Sequence, residues 1–194
     1  MVTAIIALYS LIFFIVLRFI SDNIPEKFER LFNGTYTLIE YTFFTYFLFI
    51  NINKVAIKKL IGFSFVLFLF AFLIYLNLTN LRYDTVLIGV ETILVLIYIF
   101  LFFYEYFNNI YTEYIYTNYC FWLSIGMLLY LSGSFFIYIL TNHFTHDERT
   151  GFWFLTYIVE TIKNGFFSLA IFIYARDKTK QKKSIQNIPY LDFN

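Results

Sequence analysis

Six stretches of about twenty residues run through apolar side chains almost without interruption, and that leaves the chain few ways to fold. A helix that crosses a membrane needs about 20 mostly apolar residues at about 1.5 Å rise each. Residues 2–19, 31–50, 57–76, 85–106, 119–140 and 152–174 meet that requirement. They are apolar on every side, whereas transmembrane strands would alternate over segments of about ten residues. A soluble fold fails on arithmetic, because 60% of the 194 residues are hydrophobic and only 14% are charged. An ordinary domain carries about 25% charged residues, and one of this size exposes too much surface to hide such an excess. The expected fold is all-α: a polytopic membrane protein with six transmembrane helices in one bundle over residues 1–176. A basic, flexible C-terminal tail is expected over 177–194.

Other classes fall by the same reasoning. The formal charge is +1, too small to attract nucleic acid. Cys120 stands alone, so neither an internal disulfide nor a thiolate metal cluster is available. Seven glycines and two prolines form no phosphate-binding or dinucleotide fingerprint. No cofactor and no nucleic-acid partner are expected. The first span has no basic start and no small-residue cleavage site, and it reads as a retained helix.

Basic residues in short loops set orientation. Arg176, Lys178, Lys180, Lys182 and Lys183 follow the last span, and Lys54, Lys58 and Lys59 fall on the same side. Arg18, Lys27, Arg30, Arg82 and Arg149 fall on the other, a bias of eight to five. The C-terminus is therefore expected in the cytoplasm, with the protein in a bacterial inner membrane.

Charged side chains at membrane depth cost at least about 2.5–3.5 kcal/mol each on insertion scales, so those present need a reason. Glu40, Glu91, Glu160 and Lys163 are such residues. Counted at about 1.5 Å per residue, Glu40 lies about 14 Å into its span, Glu91 about 9 Å, Glu160 about 12 Å and Lys163 about 16 Å. The three spans that carry them run in the same direction, so adjacency would create one polar site. Asp84, Glu91, Tyr98 and Glu105 recur every seven residues and keep to a narrow stripe. Trp153, Tyr157, Glu160, Asn164 and Ser168 share a face of the last span at three- and four-residue spacing. Thr37, Tyr41 and Thr45 accompany Glu40. The candidate intramembrane cluster is thus Glu40, Glu91, Tyr98, Glu160, Lys163 and Asn164, with Asp84 and Glu105 at the ends of the stripe.

Three uses of such a cluster remain open. Lys163 lies one turn from Glu160 and can neutralise it locally, and carboxyls can glue helices by hydrogen bonds. The cluster can equally form a ligand or signal pocket, or pass ions or protons. In the fifth span, Gly126 and Gly133 are small residues at helical spacing, suited to close helix packing. His143, His146, Asp147 and Glu148 form a loop that could hold a divalent metal. Their spacing is not that of a zinc-protease motif, and a metal there is not expected. No catalytic constellation can be assembled.

The strings YTLIEYTFF (36–44), GVETIL (89–94), FWLSIG (121–126) and YLSGSFF (130–136) resemble an uncharacterised family of small multi-span inner-membrane proteins of Bacteroidetes. The resemblance covers about 33–174 and implies an inner-membrane location with no attached activity. Members of that family often carry one more N-terminal helix. A weaker similarity is to the membrane sensor regions of bacterial histidine kinases. The expected function is that of a non-enzymatic sensing or assembly subunit, contacting membrane lipids and acting through a protein partner or as a homo-oligomer. The alternatives are a small proton- or ion-coupled transporter and a membrane lipid enzyme with a metal at 143–148.

Overall fold

The computed structural model describes residues 26–78, 85–109, 115–140 and 146–186, with side chains over narrower ranges. Five helices follow in order: α1 (Glu26–Asn51), α2 (Val55–Leu78), α3 (Thr85–Asn109), α4 (Tyr119–Leu140) and α5 (His146–Gln186). A single 3-10 turn, Ile115–Thr117, leads into α4. No strand occurs among the described residues. In hydrocarbon every backbone polar group must be satisfied within its own segment, and the helix does this for a run apolar on all sides.

Among the described residues, four helices contain stretches long and apolar enough to cross a membrane: Val55–Tyr75, Val86–Asn108, Tyr119–Ile137 and Phe154–Thr179. The expected first span, 2–19, lies outside the described residues. The second corresponds to α1, which at 26 residues is long enough but is diluted by threonines, tyrosines and Glu40. Those polar groups have a place to go, because Thr37, Tyr41 and Thr45 are all buried.

In the bundle α4 packs between α3 and α5, α1 lies against α3, and α2 covers α1 and α3. Phe44, Leu48, Tyr98, Leu123, Met127 and Phe167 meet in the core. Helix α2 contributes a narrow buried stripe, Ile61, Phe68 and Phe72, and exposes Phe63, Leu67, Phe70 and Leu73. Lipid is as apolar as these side chains, so the exposure carries no penalty there. Hydroxyls on outer faces bond within their own helix. Thr42 and Ser132 donate to the carbonyls of Leu38 and Leu128 at 2.7 Å, and Thr161 and Ser168 to those of Tyr157 and Asn164 at 2.8 Å.

The α4–α5 contact is the most extensive among the described helices, and two glycines let it be tight. A methyl group at Gly126 would lie 2.9 Å from Phe166 Cβ and 3.2 Å from the Phe167 ring. At Gly133 it would lie 2.9 Å from Val159 Cγ2. Gly62, by contrast, has nothing within 4 Å. Gly126→Ala and Gly133→Ala are expected to destabilise the protein by about 1–3 kcal/mol each through overpacking. Gly62→Ala should be neutral or gain up to about 1 kcal/mol in helix propensity. Thermal unfolding in detergent of the three variants checks this contrast.

The same contact fixes which face of α5 points inward. The buried stripe is Thr156, Lys163, Phe167, Ala170 and Ile173. Tyr157 and Ser168, expected on the inner face with Glu160 and Asn164, are exposed, while the Trp153 side chain is not described. Glu160 and Asn164 sit at the edge of the stripe. The polar periodicity was misleading because α5 turns its face toward the α4 glycines, not toward the most hydroxyls.

Helix α5 has 41 residues, about 61 Å of helix against a hydrocarbon core about 30 Å thick. It therefore continues past Tyr174 through the basic segment to Gln186. Ala, Arg, Lys and Gln are strong helix formers, and cations are favourable near a helix C-terminus. Residues 187–194 lie outside the described residues.

Candidate functional site

Helices α1, α4 and α5 converge on the ammonium of Lys163, a side chain only 1% exposed. Its Nζ donates to Glu40 Oε1 of α1 at 3.4 Å and lies 3.8 Å from Glu160 Oε1 of its own helix. It also sits over the Tyr130 ring of α4, 3.8 Å from the centroid. Tyr130 completes the triangle, because its hydroxyl donates to Glu40 Oε2 at 3.2 Å. Tyr36, one turn before Glu40 on α1, donates to Glu40 Oε1 at 3.2 Å.

Glu91 of α3 is within electrostatic range of both Glu40 and Lys163. It is 3% exposed, and its Oε1 has no hydrogen-bond partner among the described residues. Asn164 Oδ1, one residue after Lys163, is likewise buried without a hydrogen-bond partner among the described residues. Two carboxyl groups, Glu40 and Glu160, share one ammonium, and Glu91 brings a third buried carboxyl into its field. With every group ionised the site would carry a formal charge of −2, and Lys163 can offset only part of it.

Magnitudes decide what such an arrangement is for. At 3.4 Å and an effective dielectric of about 20, the Lys163–Glu40 attraction is about 5 kcal/mol. Removing each ion from water costs several kcal/mol, so the pair roughly breaks even as a source of stability. Its effect is instead on which helix faces meet: Glu40 and Lys163 tie α1 to α5 across 123 residues of chain.

A second network lies beside the first. The Tyr41 and Tyr98 hydroxyls are 3.2 Å apart, and Tyr98 bonds in turn to Ser64 Oγ. One hydroxyl chain thus crosses α1, α3 and α2, with Tyr41 in electrostatic range of Glu91. The Tyr41 ring packs on Phe68 with centroids 4.2 Å apart.

The heptad stripe of α3 divides into two sites. Glu91, Tyr98 and Glu105 are all buried on one face, and Asp84 lies outside the described residues. Glu105 does not join the Lys163 cluster. Its Oε1 accepts the backbone N–H of Asn53 at 2.6 Å, and Oε1 and Oε2 accept that of Lys54 at 3.3 and 3.2 Å. A carboxylate from α3 therefore caps the start of α2, satisfying amides that the helix itself leaves open. Removing it with Glu105→Ala should cost about 1–3 kcal/mol, as for a lost charge-assisted cap, and Glu105→Gln less. Detergent unfolding of the two variants reads that order.

Tyr130 and Tyr36 are the residues that the polar-charge reading missed. Both carried a signal: Tyr130 lies between Gly126 and Gly133 on one helical face, and Tyr36 is four residues before Glu40. His143 lies outside the described residues, and the side chains of His146, Asp147 and Glu148 are not described. No protein-family model, curated protein or solved structure matches this chain.

Proposed function

We propose that the protein is a non-enzymatic sensing or assembly subunit of a bacterial inner membrane, its six spans placing the C-terminus in the cytoplasm. In this reading α1 crosses the membrane as the polar-lined member of the bundle, and residues 2–19 supply the remaining span. The observation that carries the reading is the buried Lys163 ammonium shared by Glu40 and Glu160, with the buried Glu91 Oε1 left without a hydrogen bond among the described residues. A proton or ligand gained or lost at any of these carboxyls changes how strongly Lys163 holds α1. Helices α1, α3 and α5 then shift, and a protein partner or a second copy reads the shift at the loops or the basic end.

The experiment is Gln replacement at Glu40, Glu91 and Glu160 together. The reading expects a folded protein with altered partner capture and cell phenotype. Unchanged folding, capture and phenotype would end it.

A second reading, a small proton-coupled transporter, is favoured by one observation, the Tyr41–Tyr98–Ser64 hydroxyl chain beside Glu91. It requires a hydrated path. Cysteines placed at successive positions along the α3 stripe that carries Glu91 and Tyr98 would then react with water-borne thiol reagents, whereas the subunit reading expects them to stay protected.

A further inference from the structure

One end of the bundle gathers five of the described basic side chains, Lys54, Lys58, Lys59, Arg176 and Lys178. The contacts Glu40–Lys163 and Phe44–Phe167 share one offset between α1 and α5, so the two helices run parallel in fixed register. Continued to the end of α1, that register sets Asn51 level with Tyr174. Two contacts close the layer: Cys120 Sγ donates to Asn51 Oδ1 at 3.1 Å, and the Tyr119 and Tyr174 rings lie 5.1 Å apart. Lys54, Lys58 and Lys59 therefore stand at the same end of the bundle as Arg176 and Lys178, and three further lysines follow within 180–183 on the continuing helix.

The acidic residues described at this end offset only Arg176, and Lys54, Lys58, Lys59 and Lys178 have no acidic partner among the described residues. Glu105 is buried and committed to backbone amides, and Asp177 is within 4.0 Å of Arg176. Aromatic rings meet the lysines here. Lys54 Nζ is 4.9 Å from the Tyr104 ring and Lys58 Nζ 5.3 Å from the Phe49 ring. The indole N–H of Trp122 donates to the Tyr116 carbonyl at 2.9 Å at the same end. Aromatic rings of this kind settle at headgroup depth, and basic clusters just beyond them attract anionic leaflets.

We propose that this basic–aromatic end is a binding surface for anionic phospholipid headgroups, which lie against Lys54, Lys58, Lys59, Arg176 and Lys178. The occupant is a lipid, because the cations sit directly on rings that face the hydrocarbon boundary. Lipid association here recruits one leaflet to the same end of the bundle that α1 and α5 share.

Trp122 offers the readout, since Trp153 is the only other tryptophan. The full chain carrying Trp153→Phe is placed in nanodiscs of phosphatidylcholine and phosphatidylglycerol, with brominated acyl chains on one lipid or the other. Brominated phosphatidylglycerol is expected to quench Trp122 with at least about fivefold preference, the factor one basic side chain supplies at an anionic surface. The preference should fall with added salt. It should vanish in Lys54→Gln/Lys58→Gln/Lys59→Gln/Arg176→Gln/Lys178→Gln and persist in Lys27→Gln/Arg30→Gln at the other end of α1. If the fivefold variant does not fold, the Lys54–Lys58–Lys59 and Arg176–Lys178 sets are neutralised separately, and each should lose part of the preference. Equal quenching by both lipids, or a preference that survives neutralisation or high salt, overturns the proposal.

Discussion

Lys163→Met is expected to cost about 3–5 kcal/mol of stability, the range for removing one partner of a buried ion pair. The variant leaves Glu40 and Glu160, both largely buried, without the cation that faces them at 3.4 and 3.8 Å. Methionine fills nearly the same volume, so a cavity contributes little. The loss should be conditional on the carboxyls. Glu40→Gln in the Lys163→Met background is expected to recover part of it, because one of the two uncompensated carboxylates, the nearer one, is then gone. Unfolding of the two single variants and the double variant gives the coupling energy directly. A coupling near zero would mean that the two side chains are near each other without depending on each other.

Tyr130→Ala is expected to cost about 3–5 kcal/mol, as large-to-small changes at buried aromatic positions do. It removes the ring beneath Lys163, 3.8 Å from the ammonium, and the hydroxyl that reaches Glu40. Tyr130→Phe separates the two contributions. It retains the ring, whose cation–π contact is worth about 2 kcal/mol when desolvated, and loses only the hydroxyl. Hydrogen bonds between membrane helices average about 0.6 kcal/mol and reach about 1.7, so the Phe variant should fall in that range. Equal losses for the two variants, measured by unfolding in the same detergent, would assign the whole effect to the hydroxyl and none to the ring.

The sequence made the helical class plain because length and continuous apolarity demand helices in lipid. It also made plain that Glu40, Glu160 and Lys163 could meet, since depth along parallel helices follows from residue counting. It did not reveal which face of α5 turns inward. That choice depends on how Phe166, Phe167 and Val159 seat on Gly126 and Gly133, and tertiary fit of this kind leaves only small residues as a trace. The heptad of α3 likewise suggested one polar stripe. Glu105, about 21 Å from Glu91 along the helix, instead serves the α1–α2 turn, a destination set by a loop that periodicity does not describe. Helix α1 is the reverse case. Its polar residues lowered its apolarity below that of the four clear spans, and the structure buries Thr37, Tyr41 and Thr45 among them, Tyr41 against α2 and α3.

The central claim is that shared Lys163 charge sets how α1 rests on α5. Spin labels at Phe49→Cys and Phe172→Cys, in a Cys120→Ser background, test it most directly. Both positions face outward, and they lie level on the two helices. Pulsed EPR distances would be compared between the intact cluster and Glu40→Gln/Glu91→Gln/Glu160→Gln. A shift on the order of 1–2 Å or more, or a clear broadening, is expected once Lys163 has no carboxylate to hold. Superimposable distance distributions in a folded triple variant would contradict the claim and leave the cluster as helix glue alone.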